Sequence, residues 1–187
     1  MAAPASKTIQ DLSGKWVMSK ALSDSSDSGL SLQGINFVLR KTIGLATVNI
    51  DVKQHIAPPS APNKSTDPVT HVDLLMSAAG LSSSQENRCL DDTWRESSDW
   101  LFGTVRARVR FTSIEELDDA FLKKGWLKEG EGKTLIIDET QNVKSGWTAT
   151  QVWGFQIVKG ERRYCRNLLV KKGSKRAEIR LVYDYQG

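Results

Sequence analysis

Between Asp11 and Val52 the apolar positions change period twice, from two to three-or-four and back to two. Behind Gly14-Lys15, the residues Trp16, Met18 and Lys20 alternate with Val17, Ser19 and Ala21, which predicts a half-buried strand. Ser23-Asp24-Ser25-Ser26 then supplies oxygens that accept from the free amides of a following helix, so a short helix is expected. Leu30 and Leu32 give it a small apolar face, and Gly34 breaks it. From Ile35 to Ile43 the spacing of Ile35, Val38, Leu39 and Thr42, with Arg40 and Lys41 outward, predicts a second short amphipathic helix closed by Gly44. Period two returns at Leu45, placing Ala46, Val48, Ile50 and Val52 on one side of a new strand.

Downstream the pattern is mostly that of strands. Residues before Asp11 read as a flexible tail, 1–10, ahead of a single domain, 11–187. Four of the five prolines fall in Ala57 to Pro68, a hairpin loop, and His71 to Met76 is a third strand before a small-residue loop, Ser77 to Ser84. Cys89 to Glu96 and Leu101 to Phe111 form a hairpin turning at Ser97-Ser98-Asp99, with Val105, Ala107, Val109 and Phe111 on one face and Arg106, Arg108 and Arg110 on the other. Ser113 to Leu122 opens with a hydroxyl and early acids and sets Ile114, Leu117, Phe121 and Leu122 on one stripe, which predicts one further short helix over a barrel end. Thr134 to Thr140, Trp147 to Val158, Arg162 to Lys171 and Ala177 to Tyr185 are four strands joined by glycine turns. Short strands, tight turns and few helices predict an all-β fold: a closed antiparallel meander barrel of nine to ten strands with a helix-turn-helix lid, since closure removes exposed edges.

The 187 residues suffice for one domain with a large core, and net charge +4 is too small to argue for nucleic acid. No apolar run approaches the roughly 20 residues of a membrane span, and MAAPASKTIQ lacks the regions of a signal peptide, so a cytoplasmic protein without membrane insertion is expected. There Cys89 and Cys165 stay reduced. His55 and His71 have no Cys or carboxylate at ligand spacing, and no nucleophile-elbow or phosphate-loop motif occurs. The remaining candidates are inward-facing side chains. Trp147, Ala149, Gln151, Trp153, Phe155 and Ile157 share one strand face, Tyr164 stands with Arg166 on the next, Tyr183 with Tyr185 on the last, and Trp94 beside Asp92. Such a lining, apolar with a few polar groups, suits a hydrophobic small molecule.

The Gly14 to Trp16 run resembles the first-strand signature of lipocalins, and the helical pair resembles the lid of intracellular fatty-acid-binding proteins, which makes the fold calycin-like. In lipocalins an Arg from the last strand lies over that Trp, and Arg180 is the matching residue. Fatty-acid-binding proteins hold a carboxylate with Arg-x-Tyr on the last strand. Arg180-Leu181-Val182-Tyr183 departs from that pattern, because its Arg and Tyr fall on opposite faces.

A closer resemblance runs through Gly14-Lys15-Trp16, Leu32-Gln33-Gly34, Arg40-Lys41, Gly44-Leu45-Ala46-Thr47, Gly146-Trp147-Thr148-Ala149, Trp153-Gly154-Phe155, Gly160 to Tyr164 and Arg180 to Tyr185. These are similar to a fungal lipocalin-like family that includes pericyclases of secondary metabolism. The resemblance implies a cofactor-free [4+2] hetero-Diels–Alderase acting on a polyketide- or terpenoid-derived substrate, such as an ortho-quinone methide with a terpene alkene. Holding the reacting carbons together and excluding water lowers that barrier, and one hydrogen bond to the oxadiene carbonyl adds to the effect. On that reading Tyr164, Tyr183 and Arg180 are the catalytic donors, while Trp94, Trp147, Trp153, Phe155, Tyr185 and Gln151 bind substrate. The alternative is a non-catalytic carrier of a hydrophobic small molecule, and a third possibility is a barrel serving protein contacts; oligomeric state is left open.

Overall fold

The computed structural model describes residues 1–78 and 83–187. Of the small-residue loop expected at Ser77 to Ser84, residues 79–82 lie outside the described residues. The chain runs β1 (Gly14–Met18), α1 (Asp27–Leu32), α2 (Phe37–Leu45), β2 (Val48–Ala57), β3 (Val69–Ala78), β4 (Ser84–Cys89), β5 (Arg95–Asp99), β6 (Gly103–Thr112), β7 (Leu135–Gln141), β8 (Trp147–Val158), β9 (Glu161–Lys172) and β10 (Lys175–Tyr185). The strands form one antiparallel sheet in the order β4-β3-β2-β1-β10-β9-β8-β7-β6-β5. The strands expected at Trp147 to Val158, Arg162 to Lys171 and Ala177 to Tyr185 fall within β8, β9 and β10, whereas the first strand stops at Met18 and the one expected at Cys89 to Glu96 is broken between β4 and β5.

The sheet curls without closing. β4 and β5 are its two edges and do not pair, so the expected closed barrel is an open half-barrel among the described residues. The connection between them carries the reason. Leu90 N–H donates to Thr70 O of β3 (2.9 Å), while Asp92 N–H donates to Val109 O of β6 (3.1 Å). With Asp92 in the left-handed region (φ 58°), the chain steps from one edge to the other, so the first arm of the expected hairpin starts at Arg95 instead of Cys89 and Ser97 to Asp99 belong to that arm, not to the turn. The β5–β6 turn therefore lies at Trp100 to Phe102.

Two elements fold unlike their patterns. Ser113 to Leu122 is a series of turns, not a helix. Asp119 Oδ1 accepts from the amides of Phe121 (3.0 Å) and Leu122 (3.4 Å), a local bond that competes with helical pairing. Leu117, Leu122 and Trp126 then pack on the outer face of the sheet with Val152, Cys165, Leu169 and Val182. The N-terminal stretch is likewise not a loose tail. Ala3 and Ile9 are buried, Ala3 N–H donates to Arg162 O (2.8 Å), and Arg162 donates to the carbonyls of Pro4 (2.9 Å) and Lys7 (2.7 Å), so residues 1–12 cover one end of the barrel.

At the other end sits the lid. Gly29 in α1 rests directly on the sheet: a Cβ there would stand 2.7 Å from Ile179 Cδ1 and 3.2 Å from Val170 Cγ2. α2 is capped by Asn36, whose side chain accepts from Leu39 N–H at 3.0 Å, and is tied to α1 by Arg40–Asp27 (3.1 Å). None of its residues is buried, and Phe37, Val38 and Leu45 are exposed, so the expected apolar face of α2 is not seated on the barrel. No helix among the described residues is long and apolar enough to cross a membrane.

Candidate functional site

Strand register decides which side chains meet inside. β8 and β9 place Trp153 opposite Arg166, Gln151 opposite Leu168 and Phe155 opposite Tyr164, and β10 sets Tyr183 opposite Tyr164. Toward the covered end these residues close into an aromatic floor. Trp16 lies 5.1 Å from Tyr164, 4.9 Å from Tyr185 and 6.4 Å from Phe155, ring centre to ring centre, and its Nε1 donates to Leu12 O (2.9 Å).

Above the floor the interior opens into two communicating lobes of about 790 and 460 Å³. They share Leu30 of the lid, Glu86, Phe102, Gln151 and Leu168. The larger lobe takes Met18, Val48, Met76 and Leu181 as apolar wall and Arg166 and Tyr183 as polar groups. Its size is that of a site for a drug-sized ligand.

Arg166 dominates the polar chemistry. It is buried at 4% exposure, stacks over Trp153 at 4.1 Å, and donates from Nε to Tyr164 Oη at 2.8 Å. Burial works against its charge, but the neighbouring tyrosines and Glu86 outweigh that and hold its pKa above the ordinary value. Burial also raises the pKa of Tyr164 and Tyr183, against the pull of Arg166, so both phenols are neutral donors at pH 7. Among the described residues Tyr183 Oη makes no hydrogen bond to protein. It therefore has a proton to offer into the larger lobe.

A second polar cluster spans the hollow from edge to wall. Arg88 of β4 meets Glu86 (2.7 Å) on its own strand and Asp138 of β7 (2.8 Å), which is 1% exposed and also accepts from Thr140 Oγ1 (3.3 Å). Burial lowers the Arg88 pKa, and Asp138 and Glu86 more than restore it. Glu86 and Arg88 line the smaller lobe. Among the described residues no group of three His, Cys, Asp or Glu is placed to hold a metal ion.

The structure brings some of the sequence candidates together and separates others. Tyr183 and Gln151 line the larger lobe, and Trp147 lines the smaller one, edge-on to Phe102 at 5.8 Å. Tyr164, Phe155 and Tyr185 belong to the aromatic floor, and Trp153 lies beneath Arg166. Arg180 is on the other face of β10. Its N–H donates to Asp24 Oδ2 (2.8 Å), its neighbours across the strand pair are Asn167 and Cys165, and it lines neither lobe nor covers Trp16. Trp94 also sits outside the hollow, against the arginine ladder of β6, 5.1 Å from Arg106 and 4.9 Å from Arg108. The residues not singled out are Glu86, Arg88 and Asp138. Asp138 could have been suspected, because it interrupts the apolar run Leu135-Ile136-Ile137 at an inward position.

Fold and hollow together define a calycin-like, lidded half-barrel with an open interior. Solved structures similar to the chain include a point mutant of a protein described as REP1-NXSQ fatty acid transporter, with a TM-score of 0.54 and 10% identity, covering 94% of this chain and 98% of that one. The fluorescent protein UnaG is also similar, with a TM-score of 0.54 and 10% identity over 94% of this chain and 97% of that one. No protein-family model matches. Two curated proteins align along the whole chain: probable pericyclase scpY of Mollisia scopiformis, 34% identical with 95% of its length covered, and pericyclase pydY of Acremonium sp, 30% identical with 98% covered. The chain belongs to this lipocalin-like pericyclase family.

Proposed function

We propose that this protein is a cofactor-independent pericyclase that binds a lipophilic, polyketide- or terpenoid-derived substrate in the barrel and steers a [4+2] cycloaddition of the hetero-Diels–Alder type. The observation that carries the reading is full-length identity of 34% to a protein named probable pericyclase, matched by 30% to one named pericyclase. The interior supports it physically. A cycloaddition forms its bonds in one concerted step, so the protein's task is to hold diene and alkene at contact distance and keep water away. Pre-organisation of that kind supplies up to about 7–11 kcal/mol of a barrier when orientation is ideal. The apolar wall of the larger lobe takes the hydrocarbon part, with Met18, Met76 and Leu181 as deformable contacts. Tyr183, neutral and with its hydroxyl facing the lobe, donates to the carbonyl of the oxadiene and draws electron density out of it as the new bonds form. Gln151 offers an amide donor on the same wall.

Incubation with an ortho-quinone methide precursor and a terpene alkene tests the reading by chiral chromatography. The expected result is a faster reaction with one stereoisomer enriched; the same racemic mixture at the same rate with and without protein contradicts it. A carrier role is the second reading, favoured by the likeness to a structure described as a fatty acid transporter. It predicts stoichiometric ligand recovery and tryptophan quenching with no effect on rate.

A further inference from the structure

We propose that the ligand of the larger lobe carries a planar oxyanion, a carboxylate or an enolate of similar charge and shape, and that Arg166 receives it; this rests on the reading of the barrel interior as the substrate site. The charged side chains of the interior include Arg88, Arg166, Glu86 and Asp138. Both carboxylates are in contact with Arg88, Glu86 at 2.7 Å and Asp138 at 2.8 Å. Among the described residues no carboxylate lies within 4.0 Å of Arg166. Arg166 thus stays a cation in a site that leaves it only 4% exposed, with a phenol and aromatic rings for company. Glu86 acts on it only from beyond contact distance; burying a charge without a directly paired opposite is destabilising, and an anion on the ligand would supply that pair.

Geometry points the same way. An arginine has N–H donors in a rigid planar fork. Nε is used by Tyr164, and stacking on Trp153 fixes the plane, but Nη2 is buried without a partner while the residue lines the larger lobe. Trp153 Nε1, directly beneath, is likewise buried and unpartnered. A neutral hydroxyl or ketone would satisfy Nη2 without balancing its charge, whereas a carboxylate or enolate does both through a charge-assisted bond. Part of the wall, Met18, Val48, Met76 and Leu181, is apolar, so the ligand is an amphiphile with its hydrocarbon against that wall and its charge at Arg166.

The purified full-length protein is titrated at pH 8 with dodecanoate, dodecanol, dodecylammonium and a 2-acyl-1,3-cyclohexanedione of equal chain length, read by quenching of tryptophan fluorescence. At least one of the two anions is expected to bind tenfold or more tightly than the alcohol, with the ammonium weakest; which anion wins identifies the head group. In Arg166→Gln the gap between anion and alcohol falls to within twofold, and Arg166→Lys keeps part of it. Equal binding of alcohol and anions by the wild-type protein overturns the proposal, as does an anion preference that survives in a folded Arg166→Gln protein. If that variant does not fold, the wild-type series decides alone. Anion preference without any cycloaddition would remove the pericyclase reading and leave this one standing; cycloaddition with no anion preference would do the reverse.

Discussion

In the proposed cycloaddition Tyr183 is the residue on which the chemistry turns. Its hydroxyl is the neutral donor that faces the larger lobe, and Phe in its place removes that donor while keeping the ring that packs 5.2 Å from Tyr164. Tyr183→Phe is therefore expected to slow cycloaddition by about tenfold to a hundredfold, the value of a bond to a developing charge, while its melting temperature stays within a few degrees of the parent. The same residue sets a pH expectation. A tyrosine ordinarily ionises near pH 10, and burial moves Tyr183 higher, so its proton is retained across pH 6–9 and the rate has no alkaline limb from this group in that range. A rate that fell between pH 7 and 9 in the parent but not in Tyr183→Phe would contradict the assignment. At this scale the sequence was informative where strand parity holds: Gln151, Trp153 and Tyr183 all face inward as the period of two requires. Parity failed for Trp94, which lies in the irregular step between β4 and β5, where no alternation applies. Arg180 was placed by analogy with the Arg over the lipocalin Trp, but its parity sends it to the outer face.

The elements were legible wherever one face had to be apolar and the other polar. β8, β9 and β10, each 11 or 12 residues long, carry the alternation over many repeats, so their extent follows from pattern alone. Ser113 to Leu122 misled because its apolar stripe has helical spacing although its purpose is to cover the outside of the sheet. A row of turns presents Leu117, Leu122 and Trp126 to β8–β10 just as well, and Asp119 favours the turns. Lid seating is the element-level test. Gly29→Val puts branched carbons where a single Cβ already stands 2.7 Å from Ile179, so α1 must lift. The expected loss is about 1–3 kcal/mol of stability in chemical denaturation, together with faster ligand release in stopped-flow fluorescence. Unchanged release would mean that α1 is not part of the door.

For the whole molecule the open seam between β4 and β5 matters most, because a half-barrel needs something other than backbone pairing to hold its edge to the opposite wall. Arg88 does this, linking β4 to Asp138 of β7 across the hollow. Asp138→Ala leaves Arg88 with one partner in a largely buried place and is expected to cost about 3–5 kcal/mol, the range for breaking a buried pair. The double replacement Arg88→Met with Asp138→Leu should recover most of that loss in urea unfolding, and a double variant as unstable as the single one would show that the pair does more than balance charge. None of this was visible in the sequence, since Arg88 and Asp138 are 50 residues apart and nothing local marks them as facing each other. The seam was missed for a related reason: closure is the general remedy for exposed edges, and the step at Leu90 to Trp94 that prevents it depends on contacts with β3 and β6.

The central claim is that cycloaddition is steered by confinement inside the half-barrel, and it is tested most directly by titrating turnover against occupancy. Increasing amounts of a non-reactive lipophile are added while its binding is followed by tryptophan quenching and the stereochemical excess of the product is measured in the same samples. The account predicts that the protein-dependent rate and the excess vanish together in proportion to occupied sites, reaching zero at one equivalent. Selective product formation that continues with the hollow fully occupied would contradict it.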